Sequence, residues 1–168
     1  MKAYKRIVFV AESGTSRAPM AEALFRENAV NCPVEVESRG LVVLFPEPLN
    51  QKAEAVMISN GINLEGYMSK QITPEDVDSD TLVIAMDQIQ RQKLFDILPD
   101  AEPEQLVVLN ELVGEELPIM DPYGGTLQSY GLCFETLSRT IKKLIKTINE
   151  GEQSNGKGDG NGSSVDPA

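Results

Sequence analysis

Apolar residues fall along this chain in two rhythms. Short, nearly unbroken runs occupy Ile7 to Val10, Thr81 to Met86 and Leu106 to Leu109, whereas Val34 to Ser38 alternates between apolar and polar side chains. Unbroken runs suit parallel strands covered on both faces, and alternation suits a strand at a sheet edge. Between the runs the spacing changes to three and four. Leu49, Ala53, Val56, Met57 and Asn60 share one helical face, and Gly61 behind them predicts a C-cap. Leu94, Ile97 and Leu98 mark a helix that stops before Pro99, while Phe134, Leu137, Ile141, Leu144, Ile145 and Ile148 mark the strongest helix, the last. Another opens at Ala18-Pro19-Met20-Ala21-Glu22-Ala23. Strands alternating with helices predict an α/β fold, a three-layer sandwich with a central four-stranded parallel sheet.

Composition narrows this picture. A chain of 168 residues suits one domain with a well-buried core. The apolar pattern ends near residue 150. From Gly151 to Ala168 only Val165 is strongly apolar, so 1–150 is expected to form the domain and 151–168 a disordered Gly/Ser/Asn-rich tail, or a tag or linker remnant. A net charge of −11 without histidine argues against nucleic acid as a partner. Lys142, Lys143 and Lys146 cluster near the end of the last helix, where they complement its dipole. No run of 18 apolar residues occurs and Met1 to Arg6 leads straight into a strand, so no membrane partner and no signal peptide are indicated and a cytoplasmic location is expected. Cys32 and Cys133 suggest neither a disulfide framework nor a metal site, and read as small buried or half-buried side chains.

Candidate chemistry concentrates in one loop. In parallel α/β sheets ligands bind at the carboxyl ends of strands, and the first strand ends at Val10. The loop Ala11-Glu12-Ser13-Gly14-Thr15-Ser16-Arg17 follows and runs into a helix, which presents backbone N–H groups and a positive helix end to an anion. Small side chains let an anion approach, Gly14 can adopt a positive φ, and Arg17 can grip two phosphate oxygens. An ordinary helix cap has the same local composition.

The neighbouring motifs separate these readings. Ile7-Val8-Phe9-Val10, Arg17 and Pro19-Met20-Ala21-Glu22-Ala23 closely resemble the first strand, phosphate loop and first helix of the low-molecular-weight protein tyrosine phosphatases. Ser38-Arg39-Gly40, Gly61-Ile62, Gly66 to Gln71 and Ala85-Met86-Asp87 continue the resemblance, and Asp121-Pro122-Tyr123-Gly124-Gly125 resembles the loop carrying that family's general acid. The match runs from residue 5 to about 149. It implies phosphoryl transfer through a cysteinyl-phosphate, with Arg17 holding the phosphate oxygens, Asp121 protonating the leaving group, and Glu12 to Arg17 forming the phosphate loop. Tyr123, and Phe45 within Leu41 to Pro46, would wall the pocket against an aromatic substrate. No cofactor or metal enters this reading.

The nucleophile's place falls on Ala11, and a methyl group cannot form a phosphoenzyme. Gly14, Ser16 and Ala18 also depart from the family's usual asparagine, cysteine and serine. Without histidine, Ser13 and Ser16 lack an imidazole to activate them. Two histories fit. The several departures favour a pseudoenzyme that binds phosphate or phosphotyrosine; retention of Arg17 and the Asp121 loop favours an active phosphatase captured as a Cys-to-Ala variant. A thiol-dependent arsenate reductase would need further cysteines that Cys32 and Cys133 are not placed to supply, and a degraded loop with a purely structural role is the remaining option. Glu12 should weaken anion binding if its carboxylate faces inward, by about 1 kcal/mol at a surface. Oligomeric state is not legible here.

Overall fold

A computed structural model describes residues 2–29 and 32–164, with side chains described as far as residue 151. Four strands, β1 (Arg6–Ala11), β2 (Glu35–Gly40), β3 (Thr81–Ala85) and β4 (Leu106–Val108), form one parallel sheet in the order β2-β1-β3-β4. The alternating segment is at an edge, as expected. Odd-numbered side chains of β1 (Ile7, Phe9, Ala11) join one buried cluster and even-numbered ones (Val8, Val10) join another, which explains why the strand reads as continuously apolar.

Helices α1 (Arg17–Asn28), α2 (Gln51–Ser59) and α5 (Leu127–Ser164) cover the Phe9 face, and α3 (Gln88–Ile97) covers the Val8 face. This is the three-layer α/β sandwich read from the pattern. Gly61 (φ +76°) ends α2 as predicted: its N–H donates to the Ile58 carbonyl and the Ile62 N–H to that of Met57. Asp87 starts α3 by accepting from the Gln90 N–H.

The observed strands differ by one or two residues at their ends from the expected Ile7–Val10, Val34–Ser38 and Thr81–Met86, and two further boundaries differ in kind. Leu109, read as the end of a strand, instead opens the short helix α4 (Leu109–Leu112) and is buried there, because a lone apolar residue after a strand fits either element. The α5 backbone continues through Ser164, into the segment expected to be disordered, although the buried apolar stripe ends at Ile148. Residues 165–168 of the expected tail lie outside the described residues.

Order reverses between β1 and β3, whose crossovers leave on opposite sides, β1 toward β2 and β3 toward β4. The loop at residues 11–17 leaves the sheet at this switch point, where open α/β sheets bind ligands.

Candidate anion-binding site

The loop begins as β1 ends and closes into α1, whose residues from Arg17 to Phe25 are all buried. Its carbonyls face the scaffold. The Leu41 N–H donates to the Ala11 and Glu12 carbonyls (2.9 and 3.1 Å), the Val42 N–H to Glu12 (3.1 Å), and the Asn50 N–H to Thr15 (3.0 Å). The Tyr67 hydroxyl donates to Gly14 (2.6 Å), and the Met20 N–H to Ser16 (3.0 Å). Among the described residues no N–H from Glu12 to Ser16 donates to a protein acceptor outside the regular elements. Because a trans peptide points its C=O and N–H in opposite directions, anchoring the carbonyls outward turns the following amides inward.

The inner side is a cavity of about 340 Å³ lined by Ala11, Glu12, Ser13, Thr15, Ser16, Arg17, Glu47, Asp121 and Tyr123. Gly14 is the loop residue behind it. At φ +73° it packs against β2 so closely that a Cβ there would lie 2.9 Å from the Gly40 nitrogen. A left-handed backbone in such a space explains why a glycine stands here.

Arg17, only 4% exposed, donates from Nη1 to the Ile119 carbonyl (2.9 Å), and its Nη2 lies 3.5 Å from Asp121 Oδ2. Asp121 Oδ1 meanwhile accepts from the Tyr123 N–H (3.1 Å), so this carboxylate both shapes its own turn and faces the guanidinium. Glu12 pairs with Lys93 Nζ of α3 at 3.1 Å, which directs its charge to a partner outside the cavity lining. The Ser13 and Thr15 hydroxyls are 2.8 Å apart. Ser16 is buried and makes no side-chain cap bond to α1.

Of the two aromatic residues expected at the wall, Tyr123 lines the cavity, while Phe45 is 66% exposed and lies outside the lining. Glu47 stands there instead. Its N–H donates to the Ser69 hydroxyl (2.9 Å) and its carbonyl accepts from the Ser69 N–H (2.7 Å), pinning the backbone between Pro46 and Pro48. Sequence reasoning passed over Glu47, although two flanking prolines were a sign of a rigid exposed turn.

Cys133 is nearer the site than its sequence position suggests. Its thiol reaches the Met120 carbonyl at 3.7 Å and senses both Arg17 and Asp121, and burial pushes its pKa up to about 11. Such a thiol is protonated and unreactive at neutral pH. Among the described residues no group of three His, Cys, Asp or Glu side chains could hold a metal, and no helix is long and apolar enough to cross a membrane.

A parallel α/β domain with a strand-loop-helix cradle, a buried arginine and a facing aspartate defines a class of phosphate-handling proteins. Residues 6–154 match the family described as low molecular weight phosphotyrosine protein phosphatase, and the chain belongs to that family. It is similar to a low molecular weight protein-tyrosine-phosphatase, PtpB, of Staphylococcus haemolyticus, at 31% identity over 83% of this chain and 96% of the relative. The structure of the YwlE arginine phosphatase from Geobacillus stearothermophilus superposes with a TM-score of 0.81 at 27% identity, covering 90% of this chain and 96% of that one. A second YwlE structure, a cysteine-to-serine mutant with a phosphorylated active-site serine, matches with a TM-score of 0.78 at 29% identity over 86% of this chain and 95% of that one.

Proposed function

We propose that this chain binds phosphate, or phosphotyrosine, in the loop of residues 11–17, and that it does not carry out the family's phosphoryl transfer because Ala11 occupies the place of the nucleophile. One observation carries the reading: five loop carbonyls are anchored outward while the amides border a cavity that Arg17 closes and Ala11 lines. The amides, the α1 N-terminus and the guanidinium supply a dianion with directed donors. The Ala11 methyl supplies no lone pair to attack phosphorus. Gly14 keeps the left-handed backbone (φ +73°) that lets the loop curl, so that departure leaves the path of the cradle intact. We also assign residues 1–150 to the domain and 151–168 to a Gly/Ser/Asn-rich tail.

A second reading of the ligand is favoured by Glu47 and Asp121. Both line the cavity beside one exposed tyrosine, and carboxylates at the mouth suit a phosphorylated arginine, whose guanidinium they can receive, better than a phosphorylated phenol. The relatives named arginine phosphatases agree with it.

Isothermal titration of the full chain with inorganic phosphate tests the cradle. The parent is expected to bind and Arg17→Ala to lose at least about tenfold, the equivalent of one charge-assisted hydrogen bond. Equal binding by the two proteins refutes the cradle.

A further inference from the structure

We propose that Tyr67 is the positioning residue of the cradle: by holding the Gly14 carbonyl it aims the Thr15 N–H, in the same peptide unit, at the bound phosphate. The inference rests on the phosphate-binding reading above. Four of the five anchored carbonyls, Ala11, Glu12, Thr15 and Ser16, are held by backbone N–H groups, which side-chain identity does not control. The Gly14 carbonyl alone among them is held by a side chain, across 53 residues of sequence and at the short distance of 2.6 Å. Gly14 cannot help itself, having no side chain with which to fix its own peptide.

The donor is itself held in place. Its ring packs against the larger core cluster, and its oxygen lies 3.1 Å from the Ser38 hydroxyl of β2. Ser38 donates to Glu22 Oε1 of α1 at 2.7 Å, and the other Glu22 oxygen pairs with Arg26 at 2.9 Å. With the Ser38 proton committed to Glu22, the Tyr67 proton has two acceptors, and the Gly14 carbonyl is the nearer. Burial raises the phenol pKa above its ordinary value, so the hydroxyl remains a donor at neutral pH. A chain from α1 through β2 therefore sets the orientation of one peptide in the loop.

The test is a titration of the full ¹⁵N-labelled chain with inorganic phosphate, followed amide by amide. In Tyr67→Phe, which removes only the hydroxyl, affinity is expected to fall about fivefold, the usual worth of one neutral hydrogen bond. The phosphate-induced shift of the Thr15 amide should shrink more than those of Glu12 and Ser16. Ser38→Ala leaves the donor in place and is expected to fall by less than about twofold. Parent-like affinity with an unchanged Thr15 shift in Tyr67→Phe overturns the proposal while leaving the cradle standing. A uniform loss over all loop amides with a lowered melting temperature also overturns it, in favour of a purely structural tyrosine. A parent that binds no phosphate refutes the cradle reading first, and this inference with it.

Discussion

The two sides of the cavity are built on opposite plans. The loop at 11–17 is held by backbone donors from three separate stretches of chain and by the Tyr67 hydroxyl, with Gly14 pressed against Gly40 and α1 buried beneath it. The segment from Leu117 to Thr126 is mostly exposed, Tyr123 reaching 82%, and is tied to its opposite number through Ile119, which is buried, and Asp121. Both ties end on Arg17. On the proposed reading, anion holding rests on packed backbone and survives changes in loop side chains, whereas acid chemistry would depend on a few contacts routed through one arginine. On that same reading, alanine at the nucleophile's place removes the demand on the second side without disturbing the first.

Placing a cysteine at position 11 tests that asymmetry most severely. In an Ala11→Cys background turnover of an aryl phosphate is expected. Adding Asp121→Asn should then slow hydrolysis of a substrate with a poorly acidic leaving group by about 10² or more, the range of general acid catalysis. With a nitrophenolate leaving group the loss should be small. Steady-state kcat with the two substrates decides the matter; equal rates for both variants on the poor leaving group would show that the acid side has already lost its function.

Tight backbone contact on the first side should tolerate less than the second. A Cβ on Gly40 would sit 2.5 Å from Val43 Cγ2 and 2.7 Å from the Ser13 carbonyl oxygen, inside packing that cannot give way. Gly40→Ala is expected to cost about 3 kcal/mol in urea unfolding and to weaken phosphate binding through Ser13. Gly125→Ala meets the Pro122 carbonyl oxygen at 2.9 Å and the Ser129 Cβ and Oγ at 3.0 Å, but in a mostly exposed segment whose backbone can shift with little repacking. Its expected cost is about 1 kcal/mol. Equal costs would erase the contrast between the sides.

What could be read from the chain follows the same division. Periodicity placed the four strands and the principal helices because each buries a face against the sheet, and burial repeats at fixed steps. Gly14 was legible because its backbone demand excludes most other residues. Tyr67 was not, since its role depends on a carbonyl 53 residues away and on Ser38 standing beside it. Glu47 and Phe45 exchanged places for a similar reason: which of two neighbouring exposed residues faces a cavity is set by how Ser69 pins the turn, a contact no local pattern encodes. Leu109 was misassigned because one apolar residue carries no period.

The remaining expected effects lie at the two ends of the pH scale, one on each side of the cavity. Under the Asp121 segment, burial holds the Cys133 pKa at about 11 against an unfolded value of 9.0. The unfolded chain therefore releases this proton first, and stability should be unaffected below about pH 9 and fall by roughly 2–3 kcal/mol as pH rises to about 11. Cys133→Ala should flatten that limb. Behind the 11–17 loop, Asp76 is desolvated, yet bonds from the Thr73 N–H and Arg39 (3.1 Å) outweigh burial and lower its pKa below 3.8. Its contribution is present above that value and is lost as pH falls through the lower folded pKa. Asp76→Asn should then reduce stability at neutral pH and flatten the acid limb, leaving the alkaline limb as in the parent. Chemical denaturation across pH separates the two, and an Asp76→Asn profile parallel to the parent's at low pH would show that the Arg39 pair does not couple folding of the loop's scaffold to protonation.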